Sequence, residues 1–161
     1  MTKRRGFTLI ELLIVVAIIG IIVAIAVVNM LNAIQRARQK RTMADMKNLA
    51  TAIEAYAVDW NAYPAAAGYA MPSGLSLPTG TLGSVSGSIS PTYLRMLPLV
   101  DGWDSYFTYG ASTAKSDYAL RSSGADGIAE TSPAFGITTD FNADIILVDS
   151  TFVQFPEGAQ K

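Results

Sequence analysis

The sequence predicts an α+β chain, a long N-terminal helix packed on a small antiparallel sheet, and three observations carry that prediction. Residues 12–28 contain no charged or strongly polar side chain. Beyond them, apolar residues recur at steps of three and four as far as Trp60. After a stretch rich in Gly, Ser and Pro, the last third of the chain breaks into short runs of aromatic and β-branched residues. A helical period followed by strand-like runs, segregated along the chain, is the pattern of an α+β domain.

The first half of the helix is assigned to residues 7–31. With Phe7 to Ile10 and Met30 to Leu31 included, the mostly apolar stretch reaches about 25 residues, enough at 1.5 Å per residue to cross a hydrocarbon core of roughly 30 Å. A buried helix of a soluble protein competes with this reading, but the rest of the 161-residue chain is too short to enclose a rod that is apolar on every side. A cleavable secretory signal also competes, since Lys3, Arg4 and Arg5 form a basic flank. The apolar run is too long for such a signal, and "NMLNAIQRARQKR" follows it where a small-residue cleavage site would belong. The segment therefore reads as a retained membrane anchor. Basic residues on both sides, Lys3 to Arg5 and Arg36 to Arg41, leave its orientation open. Glu11 is the one acid in it. An ionised side chain in hydrocarbon costs about 2.5–3.5 kcal/mol unless it finds a partner; the simplest account is an acid in the first helical turn, favoured by the helix dipole.

Residues 32–61 continue the same helix as an amphipathic half. Met46, Leu49, Ile53, Tyr56 and Trp60, with Ala50 and Ala57, fall on one face and are expected to cover a sheet. Val28 keeps its backbone donor, so no break is expected there. Pro64 biases Tyr63 away from helix and sets the end.

Residues 62–161 are expected to form the globular domain. The stretch 65–90 reads as a loop with at most short strands around Leu75 to Leu82. The strands are "YFTYG" (106–110), "DYALRS" (117–122), "DIILV" (144–148) and "TFVQF" (151–155), the last two joined by a turn at Asp149-Ser150.

Composition narrows the function. The chain has no Cys and no His, which leaves no disulfide, no thiol nucleophile, no His-based triad and no His or Cys metal site. No motif for carboxylate or Ser-Lys chemistry is present, and an enzyme is not expected. Residues 1–60 carry eight Lys or Arg against four Asp or Glu, whereas residues 61–161 carry four against nine. An acidic outer domain argues against nucleic acid as the main partner, because phosphate binding requires a basic surface.

The segment "RRGFTLIELLIVVAIIGIIVAIA" closely resembles the N-terminus of type IV prepilins and of the pseudopilins of type II secretion. In that family a short basic leader ends in Gly and is cut before Phe, and a Glu stands fifth after the cut. The resemblance implies a cytoplasmic leader of residues 1–6 and cleavage between Gly6 and Phe7 by a prepilin peptidase, with N-methylation of Phe7. It also implies an inner-membrane anchor with the C-terminal domain outside the cytoplasm. The subunit would then polymerise into a homo-oligomeric helical filament, with an inner-membrane assembly platform and minor pilins or pseudopilins as partners. Glu11 would pair with the amino terminus of a neighbouring subunit. Relatives often have proline soon after "AIA", where this chain has Val28.

Two further segments resemble the major pseudopilin branch: "DGWDSYFTYG", with Gly102 and Asp104 where that branch has Pro and Gly, and "SDYALRSSGADG". In that branch a calcium ion ties down the loop between "GADG" and a following acidic segment. Carried over, the ligands would be Asp126, Asp140, Asn142 and Asp144, the last three from "DFNADI". Clustered carboxylates, an amide and carbonyls are the donors calcium takes. Ordinary Asx-turn chemistry explains the same residues without a metal, and an EF-hand is ruled out because Ile145 occupies its obligatory glycine position. The function implied is a filament subunit, a major pseudopilin of type II secretion. The alternatives are a type IV major pilin and, from a different class, a monomeric membrane-anchored ligand-binding module.

Overall fold

The structure is a computed structural model that describes residues 6–66, 78 and 80–158. Helix α1 runs without interruption over Leu9–Trp60, and Val28 lies inside it. It stops because Asn61 takes a left-handed conformation (φ 50°), which asparagine tolerates better than most residues, three positions before Pro64. The chain divides into two compact units, residues 1–34 and 35–161. In the first, the described side chains from Leu9 to Ile34 are all exposed.

In the second unit, a six-stranded sheet is ordered β1-β2-β3-β5-β6-β4. Its strands are β1 (Gly80–Thr81), β2 (Thr108–Ala111), β3 (Tyr118–Ser122), β4 (Gly136–Thr138), β5 (Ile145–Val148) and β6 (Thr151–Pro156). The pairs β1/β2, β2/β3, β3/β5 and β5/β6 are antiparallel, as expected. Strand β4 was not legible in the sequence; it runs parallel to β6 and makes the edge of the sheet mixed. The β5-β6 turn is Asp149-Ser150, both at positive φ (45° and 64°), the type I′ geometry that matches the twist of paired strands. The Asp149 carboxylate holds it to β3 by accepting the Tyr118 N–H at 2.9 Å.

One face of the sheet packs on the amphipathic half of α1. Met46, Leu49 and Ile53 are fully buried against Tyr109, Tyr118, Leu120 and Leu147. Removing each such aliphatic side chain from water contributes roughly 1.5–3 kcal/mol. Trp60, expected on this stripe, is 66% exposed and stacks on Tyr56 with ring centroids 5.9 Å apart. Tyr56 in turn meets the Tyr93 ring edge-on at 5.6 Å.

The described part of the expected loop 65–90 is more ordered than its composition suggests. After β1 the chain makes a 3-10 turn (Leu82–Val85) and a single α-turn, α2 (Ser86–Ile89). Leu82, Val85 and Ile89 enter the core from successive turns, at helical spacing among small residues. The remainder of that expected loop, residues 67–77 and 79, lies outside the described residues.

Candidate functional site

At the helix start, Thr8 and Glu11 form a reciprocal capping box. Glu11 Oε2 accepts the Thr8 backbone N–H at 2.8 Å and the Thr8 hydroxyl at 2.7 Å, while the Glu11 N–H donates to Thr8 Oγ1 at 3.3 Å. Two backbone donors that no helical carbonyl can reach are thereby satisfied, and the acid lies near the positive end of the helix dipole. Gly6 has nothing within 4 Å of where a Cβ would stand, and Phe7 is 72% exposed. Among the described residues, Gly6, Phe7 and Glu11 thus lie exposed around the start of α1. Behind them, α1 is the one helix among the described residues long and apolar enough to cross a membrane. An apolar rod with a carboxylate at its tip can enter lipid or pack against other rods.

The second unit is tied to its own stretch of α1 by the loop Asp101–Ser105. Asp101 is fully buried and uses both oxygens. Oδ1 accepts the N–H groups of Trp103 (2.9 Å) and Ser105 (3.0 Å), and Oδ2 accepts the Ser122 hydroxyl (2.6 Å). The loop shaped in this way donates the Gly102 N–H to Thr42 Oγ1 at 2.9 Å and the Trp103 indole N–H to Gln35 Oε1 at 2.6 Å. Asp104, where the resembled branch has Gly, sits at φ 67°.

The four residues singled out for calcium separate into two kinds. Asp126 and Asp140 are exposed and close Asx turns, accepting the N–H groups of Ile128 (2.9 Å) and Asn142 (3.0 Å); Asn142 is exposed as well. Asp144 is fully buried. Its Oδ2 accepts the Glu130 N–H at 3.0 Å and lies 3.7 Å from Arg121 Nη1, and its Oδ1 is buried without a partner. Burial pushes the Asp144 carboxyl up to about 6, with Glu130 and Asp126 adding to the rise, while the Glu130 amide and the Arg121 guanidinium oppose it. The two segments do meet. Gly124 at φ 65° brings its Cα so close to residues 142 and 143 that a Cβ would stand 2.8 Å from the Ala143 carbonyl oxygen. Among the described residues, however, no three acidic side chains are grouped to hold a metal ion, and the buried member of the set faces a guanidinium. This donor arrangement does not fit a calcium shell.

Sequence reasoning passed over Arg121, Glu130 and Gln154, which surround Asp144. Arg121 was the available signal: a charged residue inside "DYALRS", a strand buried along its whole length.

The family described as type II secretion system (T2SS), protein G, matches residues 29–140, and the prokaryotic N-terminal methylation motif matches residues 1–27. The chain is 34% identical to the type II secretion system core protein G of Pseudomonas aeruginosa over 125 residues, 78% of this chain and 86% of that one. It is 26% identical to the core protein G of Klebsiella pneumoniae over 145 residues, 84% and 95% of the two chains. It is 50% identical to a type IV major fimbrial protein of Dichelobacter nodosus, but over 56 residues, 35% of this chain and 36% of the other. No solved structure matches.

Proposed function

The chain belongs to the type II secretion system protein G family, and from that premise we propose how its two units serve one task. It is a structural subunit of a type IV pilus-like filament, the major pseudopilin of a type II protein secretion system. Prepilin peptidase removes residues 1–6 by cutting between Gly6 and Phe7, and the amino group of Phe7 is methylated. The methylation motif over residues 1–27 and the exposure of Gly6 and Phe7 among the described residues support this step. The apolar helix holds the subunit in the inner membrane with the domain outside the cytoplasm, until the assembly platform and minor pseudopilins take it into the filament.

The observation that carries this reading is the apolar surface of α1 from Leu9 to Ile34, exposed among the described residues. Lipid covers it before assembly and neighbouring subunits afterwards. The capping box explains how Glu11 is tolerated in the lone subunit: its carboxylate has Thr8 as a local partner. In the filament, Glu11 turns to the Phe7 amine of a neighbour offset along the axis. The role is structural, with no catalytic step assigned to any residue.

Deleting the gene in its native host and complementing it with this chain tests the reading. Secretion of exoproteins is expected to fail on deletion and return on complementation, while surface pili are unaffected. Loss of pili with secretion intact would favour the major pilin reading, which the 50% identity to the fimbrial protein supports over about a third of the chain.

A further inference from the structure

We propose that Arg121 is a built-in cation that holds the 128–135 loop on the sheet, so that closure of this loop does not depend on calcium. The proposal concerns the domain alone and stands apart from the filament reading.

Leu120 and Leu147 face α1 in the core, so the alternation of side chains along a strand turns Arg121 and Ile146 to the opposite face. Strand register then places Arg121, Ile146, Gln154 and Gly136 in one row across that face, from β3 through β5 and β6 to β4. Arg121 and Gln154, from either side of Ile146, hold the loop. Arg121 Nη1 reaches the Glu130 carbonyl at 3.4 Å and stands 3.7 Å from Asp144 Oδ2. Gln154 Nε2 donates to Glu130 Oε2 at 2.9 Å and to the Asp144 carbonyl at 3.0 Å, and its Oε1 accepts the Phe135 N–H at 3.2 Å. Glu130 completes the link by donating its own N–H to Asp144. Arg121, Asp144 and Gln154 are all buried.

A buried carboxylate needs a cation or a proton, and a calcium site supplies the first with a free ion. Here the positive charge is covalently part of β3. It meets the loop carbonyl and the buried acid together, as a calcium ion would. A second, divalent cation at Asp144 would stand beside the guanidinium and be repelled by it. The buried guanidinium Nε and Asp144 Oδ1 both lack partners. They are a donor and an acceptor on contacting residues, the complement a closer fork between them would use.

The test uses the full chain in detergent micelles, with amide hydrogen exchange read by mass spectrometry over residues 123–137, where the Glu130 and Phe135 amides report the loop. Wild-type protection is expected to be the same in millimolar calcium and in EGTA; faster exchange in EGTA would overturn the proposal without recourse to any variant. Arg121→Gln is expected to speed exchange in this segment by about tenfold or more in both buffers, while the amides of residues 46–53 keep their protection. Unchanged loop exchange in that variant would show that the guanidinium holds nothing. Should Arg121→Gln unfold the domain, Arg121→Lys keeps the charge and is expected to fold with loop protection indifferent to calcium. Calcium-dependent protection in the lysine variant would equally overturn the proposal.

Discussion

Gly102 lies against the backbone of Arg38 so closely that a Cβ on it would stand 2.9 Å from the Arg38 carbonyl carbon, with the carbonyl oxygen nearer still. The loop cannot back away without losing the Gly102 N–H bond to Thr42 and the Trp103 bond to Gln35. Gly102→Ala is therefore expected to destabilise the domain by about 2 kcal/mol or more, from overpacking and lost hydrogen bonds together. Thermal unfolding followed by Trp103 fluorescence measures it. Gly87→Ala is the control: nothing stands within 4 Å of its would-be Cβ, so its melting temperature should not fall.

Two residues on, Asp104 holds a left-handed conformation at φ 67°. An L side chain there costs about 1–2 kcal/mol, less for Asp than for most. Asp104→Gly should relieve part of this and stabilise the domain by about 0.5–1 kcal/mol, the loss of unfolded-chain restraint offsetting the rest. A lower melting temperature for Asp104→Gly would mean that its carboxylate contributes more than its backbone costs.

Capping and assembly can be separated at Glu11. Glutamine can serve a capping box as glutamate does, so Glu11→Gln should leave the helix start and membrane insertion intact yet reduce filament yield, because it carries no charge for a neighbour's amine. Glu11→Val should insert as well or better and assemble worse. Filament yield from cells, normalised to membrane-inserted subunit, is the readout; wild-type yield for both variants would confine Glu11 to its capping bond with Thr8.

Processing gives a simpler expectation. Intact-mass measurement of subunits from the native host should show loss of residues 1–6 and one methyl group on Phe7. Gly6→Val should accumulate uncut precursor, because a branched side chain would have to enter where the peptidase meets only a hydrogen. Cut and assembled Gly6→Val subunits would refute that account.

Three phenols are expected to limit the stability of the domain at alkaline pH. Burial pushes Tyr63 up to about 12, with Glu54 adding to it, and raises Tyr109 and Tyr118 as well. Their hydroxyls donate inward, Tyr63 to Glu54 at 3.1 Å and Tyr109 to the Pro64 carbonyl at 3.0 Å, while Tyr118 pairs with Ser150 Oγ at 2.9 Å. A folded-state value above the unfolded one means that the native state keeps its protons longer. The stabilisation is complete below pH about 10 and is lost as pH climbs through 12. The phenolate absorbance of these residues should therefore rise together with the unfolding seen by tryptophan fluorescence, and Tyr63→Phe should make the decline shallower. Full tyrosine ionisation in a still-folded domain would contradict it.

The helix, its two characters and four strands were legible because each is written in side-chain period over enough residues to stand out. Glu11 was legible as an acid in the first helical turn, but its pairing with Thr8 was not read, although the two have the spacing of a capping box. Trp60 misled because it keeps the period of the stripe but lies on the last turn, beside Asn61, where a ring partner replaces the sheet. Leu82, Val85 and Ile89 had helical spacing but sat among Gly and Ser, whose turn preference hid it. Strand β4 is three residues long and pairs with β6 through register that no local pattern records. The acids at 126, 140 and 144 were visible as a spacing; that Arg121 would turn under the loop toward Asp144 depends on three strands lying side by side, which only the fold supplies.

Lys47 donates its ammonium to the Ser150 carbonyl at 2.6 Å, and Ser150 donates its hydroxyl to Glu54 at 2.9 Å, links that span 103 and 96 residues of chain. The cover of the amphipathic half of α1 is therefore incomplete until nearly the last residue has been made. At about 5–20 residues per second, the hundred or so residues between them take roughly 5–20 s to synthesise. During that interval the apolar first part of α1 is already made while the stripe Met46–Ile53 meets only part of its sheet. Birth of the subunit is thus ordered in time, apolar helix first and completed domain last. A ribosome stalled before the final hairpin would leave the helix carrying a partly open, aggregation-prone face.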